Sequence, residues 1–302
     1  MSTMTRAGMV AIVGLPNAGK SSLLNRLLGS KLSIVTAAAQ TTRERVVGID
    51  TRDDVQIVFM DTPGMVTPGY LLHEAMLDII DRTIADADVV VLLLDGTRPP
   101  PDLSAEVRAR LTKMTERLVV AINKSDVAPD EQLRQLRSWS VTVFGVEPAV
   151  ISAQAGEGVD RLREEIGQQL PVSPYLYPED EISTQSVRFF VSELVRETVF
   201  EMYQEEIPYS VAVQVEEFRE TEDPLFIGAT IYIERSSQKG ILIGSGGRAI
   251  RDLGAAARRK IESFVDRRVY LDLWVKVLPK WRKSPKELRR FGFPVPDDNR
   301  HA

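Results

Sequence analysis

The residues best equipped for chemistry lie near the start of the chain. Gly14-Leu15-Pro16-Asn17-Ala18-Gly19-Lys20-Ser21 fits the spacing G-x-x-x-x-G-K-[ST]. That pattern lets backbone N–H groups from Gly14, Asn17, Ala18 and Gly19 wrap phosphate oxygens while Lys20 neutralises the β and γ phosphates. Ser21 offers a hydroxyl to Mg²⁺, and Ser22 extends the same cradle into the helix that follows, whose N-terminal dipole favours anions. A glycine-rich turn with an incidental lysine is the plain alternative. The string lies between an apolar strand and a helical pattern, which is where phosphate binding needs it. A second string, Asn123-Lys124-Ser125-Asp126, follows another apolar run. The Asp126 carboxylate can accept from guanine N1–H and from its exocyclic amine, a donor pair that adenine lacks. Asn123 is placed for the other edge of the base and the adjoining loop, and the Lys124 stem for the base plane. A buried carboxylate left unpaired by the wrong base is costly, so this arrangement discriminates strongly.

Three shorter segments complete the set. In Asp61-Thr62-Pro63-Gly64, Asp61 is placed to hold Mg²⁺ through water and the Gly64 N–H to reach a γ-phosphate. Gln40-Thr41-Thr42-Arg43 should supply a second hydroxyl to Mg²⁺, with Thr42 favoured over Thr41. Ser152-Ala153 would bring the Ala153 N–H to guanine O6. The expected metal set is Ser21, Thr42 and Asp61, and the groups at the transferred phosphate are Lys20, Thr42 and Gly64. Met65 stands directly after the Asp61–Gly64 string, where a glutamine amide could orient attacking water. A thioether cannot take that role, so slow intrinsic hydrolysis is expected. Asn17 reads on its own as a turn asparagine that caps the loop.

These groups need a rigid frame. Apolar runs at 9–13, 55–60, 89–94, 118–122 and 149–151 alternate with helical patterns at 20–28, 72–84, 104–113, 131–139 and 159–170. Fully apolar strands between helices predict a parallel sheet covered on both faces, a doubly wound α/β domain. The chain has 302 residues, 43% apolar and 27% charged, enough for two domains. Prolines 171, 174 and 178 mark an extended linker. The expected division is a nucleotide domain over 1–172, a linker over 173–182 and a second, smaller α+β domain over 183–302. The absence of cysteine removes disulfides and thiolate chemistry, and two histidines, His73 and His301, exclude a multi-histidine metal site. No apolar run approaches the ~20 residues that span a bilayer, and no signal peptide is legible. The cytoplasm is the expected compartment.

The second domain reads as helix, strand, strand, helix, helix, strand. Its helix is at 185–205, with alternating strands at 209–215, 227–233 and 269–277 and helices at 238–243 and 248–264. Gly244-Ser245-Gly246-Gly247 joins the two adjacent helices. A G-x-x-G turn lets a nucleic-acid backbone approach closely and brings helix dipoles and nearby cations to its phosphates. Lys239, Arg248 and Arg251 flank it. Trp281, inside Lys280-Trp281-Arg282-Lys283, either stacks on RNA or packs against the last strand.

The strings G-x-P-N-x-G-K-S, Q-T-T-R, D-T-P-G, N-K-x-D and S-A, in this order, resemble the translation-factor-related class of small GTPases. Followed by the G-x-x-G domain, which looks like a type II KH domain, the chain from about Ala7 to Trp281 is similar to the Era family. The resemblance implies a GTP/GDP switch with Mg²⁺, and K⁺ for Asn17. It implies a monomer that binds the 3′ end of 16S ribosomal RNA and acts in maturation of the small (30S) subunit, with weak peripheral association at the inner face of the cell membrane. A second domain that docks a protein partner or a membrane surface is the alternative. Family members usually carry lysine where this turn has Ser245, which removes one phosphate contact.

Charge at first points the other way, because the net value is −5. Its distribution does not. Residues 171–233 carry three Lys/Arg against 13 Asp/Glu, whereas 234–302 carry 17 against eight. The basic segment begins just before the G-x-x-G turn. The acidic one is expected to keep non-specific RNA off the rest of the surface.

Overall fold

The computed structural model describes residues 4–36 and 40–295. The chain divides into two compact units, Met1–Thr67 with Met76–Thr184 and Pro68–Ala75 with Gln185–Ala302. In the first, the strands are β1 (Arg6–Val13), β2 (Val46–Arg52), β3 (Val55–Asp61), β4 (Val89–Asp95), β5 (Leu118–Asn123) and β6 (Ala149–Val150). They form one sheet in the order β2-β3-β1-β4-β5-β6. Around it lie α1 (Lys20–Leu28), α2 (Leu71–Asp86), α3 (Ala105–Thr112), α4 (Asp130–Phe144) and α5 (Val159–Gln169).

The sheet is not wholly parallel. β2 runs antiparallel to β3, from Val46 opposite Asp61 to Arg52 opposite Val55. Apolar periodicity does not reveal this strand, because Gly48, Asp50 and Thr51 interrupt its apolar run. Its charge is accommodated rather than solvated. Asp50 is buried and ion-paired with the equally buried Arg163 of α5, and Arg52 Nε donates to the other Asp50 oxygen at 2.7 Å. Central strands carry the core, with Val10 to Val13 and Val89 to Val91 fully excluded from solvent. Parallel strands in this order place the β1, β3 and β5 ends, and the loops after them, along one edge of the sheet, where α/β folds bind ligands.

The proline-rich segment is not free chain. The Gln56 side chain accepts from Leu176 N (2.7 Å) and Tyr177 N (3.0 Å) and donates to Tyr177 O (2.8 Å). Ile49 N donates to Ile182 O at 2.9 Å, and the Ser183 hydroxyl donates to Val47 O. The segment forms no helix and the β2–β3 ribbon holds it, so the division into compact units falls at 184/185.

The second unit keeps the expected order and adds two short helices, one before the first strand and one after the last. It runs α6 (Val187–Met202), α7 (Ile207–Ser210), β7 (Ala212–Arg219), β8 (Leu225–Ile233), α8 (Ser236–Ile243), α9 (Arg248–Val265), β9 (Val269–Val277) and α10 (Pro285–Arg290). Tyr209, which alternation assigns to the strand, belongs instead to the short helix started by Pro208. β8 pairs antiparallel with β7 and parallel with β9. Val191, Val195, Ile227, Ile231, Leu253, Ala257 and Ile261 form its buried core. Trp281 is fully buried, with its indole N–H on Ser210 O at 2.8 Å and its ring edge-on to Phe291. The packing reading of Trp281 is therefore the one realised, against Ser210 and Phe291.

Candidate functional site

A cleft of about 550 Å³ lies over the loop between β1 and α1, lined by Asn17, Gly19, Lys20, Ser21, Ser22 and Thr42 among others. Two glycines of this loop admit no side chain. A Cβ on Gly14 would meet the Leu93 carbonyl oxygen, and one on Gly19, whose φ is +96°, would collide with the Asn123 amide. Gly19 therefore turns the chain into α1 while allowing the second sequence string to touch the first. Lys20 is buried, and its ammonium donates to Gly14 O and Leu15 O at 3.0 Å each, which holds it across the loop. Burial pushes its pKa down to about 8, with the Asp61 charge opposing. Ala18 N donates to Leu15 O at 3.3 Å, closing the turn.

Ser21, Thr42 and Asp61 converge. The Ser21 hydroxyl lies 2.9 Å from the Thr42 hydroxyl and donates to Asp61 Oδ2 at 2.7 Å, and Ser33 Oγ donates to the same oxygen at 3.1 Å. Burial raises the Asp61 pKa, opposed by Lys20 and by bonds from Ser21, Ser33 and Thr42. The second oxygen, Asp61 Oδ1, is buried with no hydrogen-bond partner among the described residues. An orphaned buried carboxylate oxygen beside two hydroxyls is a hard oxygen donor set, and it fits Mg²⁺. Thr41 also lines the cleft, with its hydroxyl 2.8 Å from that of Thr36. Ser33 is invisible to motif reasoning, since an isolated serine in a loop carries no spacing signal.

Gly64 lies against the phosphate loop. A Cβ there would come within 2.8 to 2.9 Å of Pro16, and Met65 N donates to Gly14 O at 3.1 Å. The Met65 side chain packs on the apolar core beside this loop. Gln40, at the cleft, adopts φ +59°.

At the other end, Asn123 joins the adjoining loops. Its amide donates to Ala18 O at 2.9 Å and its carbonyl oxygen accepts from Ala153 N at 2.8 Å. Lys124, at φ +66°, places its ammonium 2.7 Å from Asp95 Oδ2. Asp126 is exposed, not buried. Its selectivity would require the base itself to exclude water. Ser152 Oγ caps its loop by accepting from Ala155 N at 2.9 Å, and Arg26 Nε of α1 donates to Ala153 O at 3.0 Å. Asp95 and Arg26 are likewise beyond the reach of the motifs, because each acts from a different element with no fixed spacing to the strings.

In the second unit, the Gly244–Gly247 turn uses its glycines unequally. Gly244 (φ +69°) could carry no Cβ without meeting that of Ala249 at 2.7 Å, whereas Gly246 and Gly247, at φ +58° and +74°, have no such crowding. Ser245 and Arg248 are exposed and Lys239 is half-buried. Arg251 Nη1 donates to Gly246 O at 3.0 Å, so it braces the turn as well as offering charge. A groove of about 320 Å³ runs between α9 and β9, with an apolar floor of Ile250, Gly254, Leu271 and Leu273 and with Arg251 and Arg258 beside it.

Comparison with known proteins follows this geometry. Residues 9–124 match the family model described as 50S ribosome-binding GTPase, and residues 206–282 match the KH domain model. The chain is similar to a single-substitution variant of Aquifex aeolicus Era solved with GDP and aluminium fluoride. Identity is 35%, coverage 96% of this chain and 100% of that one, and the TM-score 0.91. It is similar also to Era solved with MgGDPNP and nucleotides 1506–1542 of 16S ribosomal RNA, with the same identity and coverage and a TM-score of 0.90.

Proposed function

The chain belongs to the Era family of GTPases, and we propose that it is a GTP-controlled switch whose KH unit takes the 3′-end region of 16S ribosomal RNA during maturation of the small subunit. It hydrolyses GTP to GDP and phosphate. The observation that carries the reading is the coexistence, in one chain matched over 96% of its length, of a guanine-type cleft and a G-x-x-G turn bordered by a cationic groove.

Each residue's part follows from its surroundings. Lys20 lies across the loop to neutralise β and γ phosphate charge, and backbone N–H groups of Asn17 to Ser22 wrap the phosphate oxygens. Ser21, Thr42 and Asp61 would hold Mg²⁺, which screens the charge that develops on the phosphate oxygens. Thr42 and Gly64 belong to segments that a γ-phosphate would order and hydrolysis release. Asp126 reads the guanine edge, Lys124 lies along the base with its head group held by Asp95, and Ala153 is aimed at O6 through Asn123 and Arg26. Because Met65 packs into apolar surroundings, intrinsic turnover is slow, and a partner or another way of ordering the water supplies the acceleration. Asn17 takes either of its two roles, K⁺ partner or turn residue, and equal rates in KCl and NaCl would leave it the second.

In the KH unit, Gly246 and Gly247 let the RNA backbone come close, and Lys239, Arg248 and Arg251 meet its phosphates. Ser245 contributes a neutral hydroxyl where a lysine would add a charge. No helix among the described residues is long and apolar enough to cross a membrane. We place the protein in the cytoplasm as a monomer, with peripheral attachment at the inner membrane face as the subsidiary reading, to be tested by flotation with anionic vesicles. The deciding experiment is crosslinking in cells with a GTP-locked variant, followed by sequencing of bound RNA. Recovery of the 16S 3′ end is expected, and recovery of no ribosomal RNA would overturn the proposal.

A further inference from the structure

Helices α6, α8 and α9 cover one face of the three-stranded sheet of the second unit; α10 packs at Tyr232 on the other face, whose remaining part carries a separate feature. Register places Arg219, Phe226 and Tyr270 in one row across β7, β8 and β9, then Glu217, Gly228 and Asp272, with Thr230 beside Trp274 in the next. Tyr270 and Trp274 are 57% and 60% exposed, the only aromatic residues among the large exposed hydrophobics of the described residues. Both lie on the same side of β9 with Asp272 between them, because alternate residues of a strand share a face at a spacing of roughly 7 Å.

The chemistry of this row is specific. Trp274 Nε1 donates to Asp272 Oδ2 at 2.8 Å, which fixes the carboxylate beside the indole and leaves it lone pairs for further donors. The Tyr270 ring is stacked against Phe226, with centroids 5.7 Å apart and planes at 16°. Arg219 already lies over the Phe226 ring at 4.4 Å from its centroid, so this surface receives a guanidinium within its own unit. Gly228 lies beside Asp272, and the Glu217 and Phe226 side chains close on its position. Glu216 and Glu217 stand on the neighbouring strand β7, each with a cationic partner, Lys276 and Arg219.

We propose that Tyr270, Asp272 and Trp274 form a docking site for an arginine-rich, extended segment of a protein partner. Two aromatic faces flanking a carboxylate suit a planar guanidinium, which stacks on rings and pairs with carboxylates. Arginines at every second position of an extended segment repeat at the same ~7 Å interval as the site. Glu216 and Glu217 are already paired, and it is Asp272, which makes no ion pair among the described residues, that opposes a nucleic-acid phosphate and suits a basic protein segment better than RNA. Tyr270 borders the α9–β9 groove as well, so Asp272 and Trp274 are the residues that separate the two surfaces.

The test uses the full chain and a fluorescently labelled peptide of four Arg-Ser repeats, read by anisotropy. Asp272→Asn, nearly isosteric and expected to melt with the parent, should weaken peptide binding about tenfold or more, the size of a desolvated cation contact. Trp274→Ala should do likewise. Glu205→Gln, which removes the same charge at an exposed position outside the sheet, should change little, and a Lys-Ser peptide should bind more weakly than its arginine counterpart. Affinity for a single-stranded RNA should be unchanged in Asp272→Asn. Equal peptide affinity for Asp272→Asn and the parent would overturn the proposal. So would loss of RNA affinity in Asp272→Asn and Trp274→Ala, which would make this face a nucleobase platform.

Discussion

Lys20 shows how one buried side chain sets a solution property of the whole cleft. Its pKa is pushed down to about 8 because burial penalises the ammonium more than Asp61 supports it. Phosphate binding needs the charged form. Below pH 8 the lysine is already protonated in the free protein, so affinity for GDP should be flat with pH. Above pH 8 binding must take up a proton, and Kd should rise toward a limit of about tenfold per pH unit. Titrating a fluorescent GDP analogue from pH 6.5 to 8.8 checks this. A flat profile across that range would mean that Lys20 keeps an ordinary ammonium pKa. The neighbouring Asp61 has the opposite problem, a carboxylate raised by burial and left with one orphaned oxygen. A divalent cation resolves both, since it restores the charge that burial disfavours.

Among the elements, β2 is the informative one. It follows Thr42 closely, lies at the sheet edge, and is tied to α5 by the Asp50–Arg163 pair and to the proline-rich segment through Val47 and Ile49. Replacing Arg163 by methionine removes one partner of a buried carboxylate but leaves Arg52 on its other oxygen. The expected cost is therefore about 1–3 kcal/mol, short of the larger penalty for a fully abandoned charge. Urea unfolding should show a lower midpoint at constant slope, and an unchanged midpoint would mean that Arg52 suffices alone. The same strand marks the limit of what is legible in the sequence. Continuous apolar runs such as Val89 to Leu94 and the periodic faces of α1, α6 and α9 encode themselves locally, and so do strings whose chemistry depends on spacing along one loop. β2 hides its partner-dependent aspartate inside a strand, and Asp95, Arg26 and Ser33 reach the site from separate elements. The motif gives Asn123 the base edge and the adjoining loop, and only the fold shows how the loop part is made, a bridge from Ala18 to Ala153 for which Gly19 leaves room. Basic neighbours do not settle Trp281 either, since its burial beside Phe291 depends on how the chain returns after β9.

At the scale of the molecule, the net charge of −5 conceals an acidic stretch, 171–233, followed by a basic one, 234–302. These charges act over different ranges. Cations at the turn meet phosphate directly, so removing Lys239 or Arg248 should lower the salt slope of single-stranded RNA binding by about 0.7 for each phosphate no longer neutralised. The acidic stretch would act through the field alone, which is screened beyond about 8–10 Å at physiological ionic strength. Its effect should therefore be confined to low salt and to RNA of any sequence. Glu205 and Glu206 are exposed, and replacing both by glutamine should tighten binding of polyuridine at about 50 mM salt while leaving it unchanged at about 300 mM. The cognate 16S fragment, held by contacts at the turn and groove, should respond far less. Equal polyuridine affinity at the lower salt would show that the acidic stretch has no screening role. A gain that persisted at the higher salt would show that these glutamates repel the RNA at contact distance, which would move the binding surface toward them.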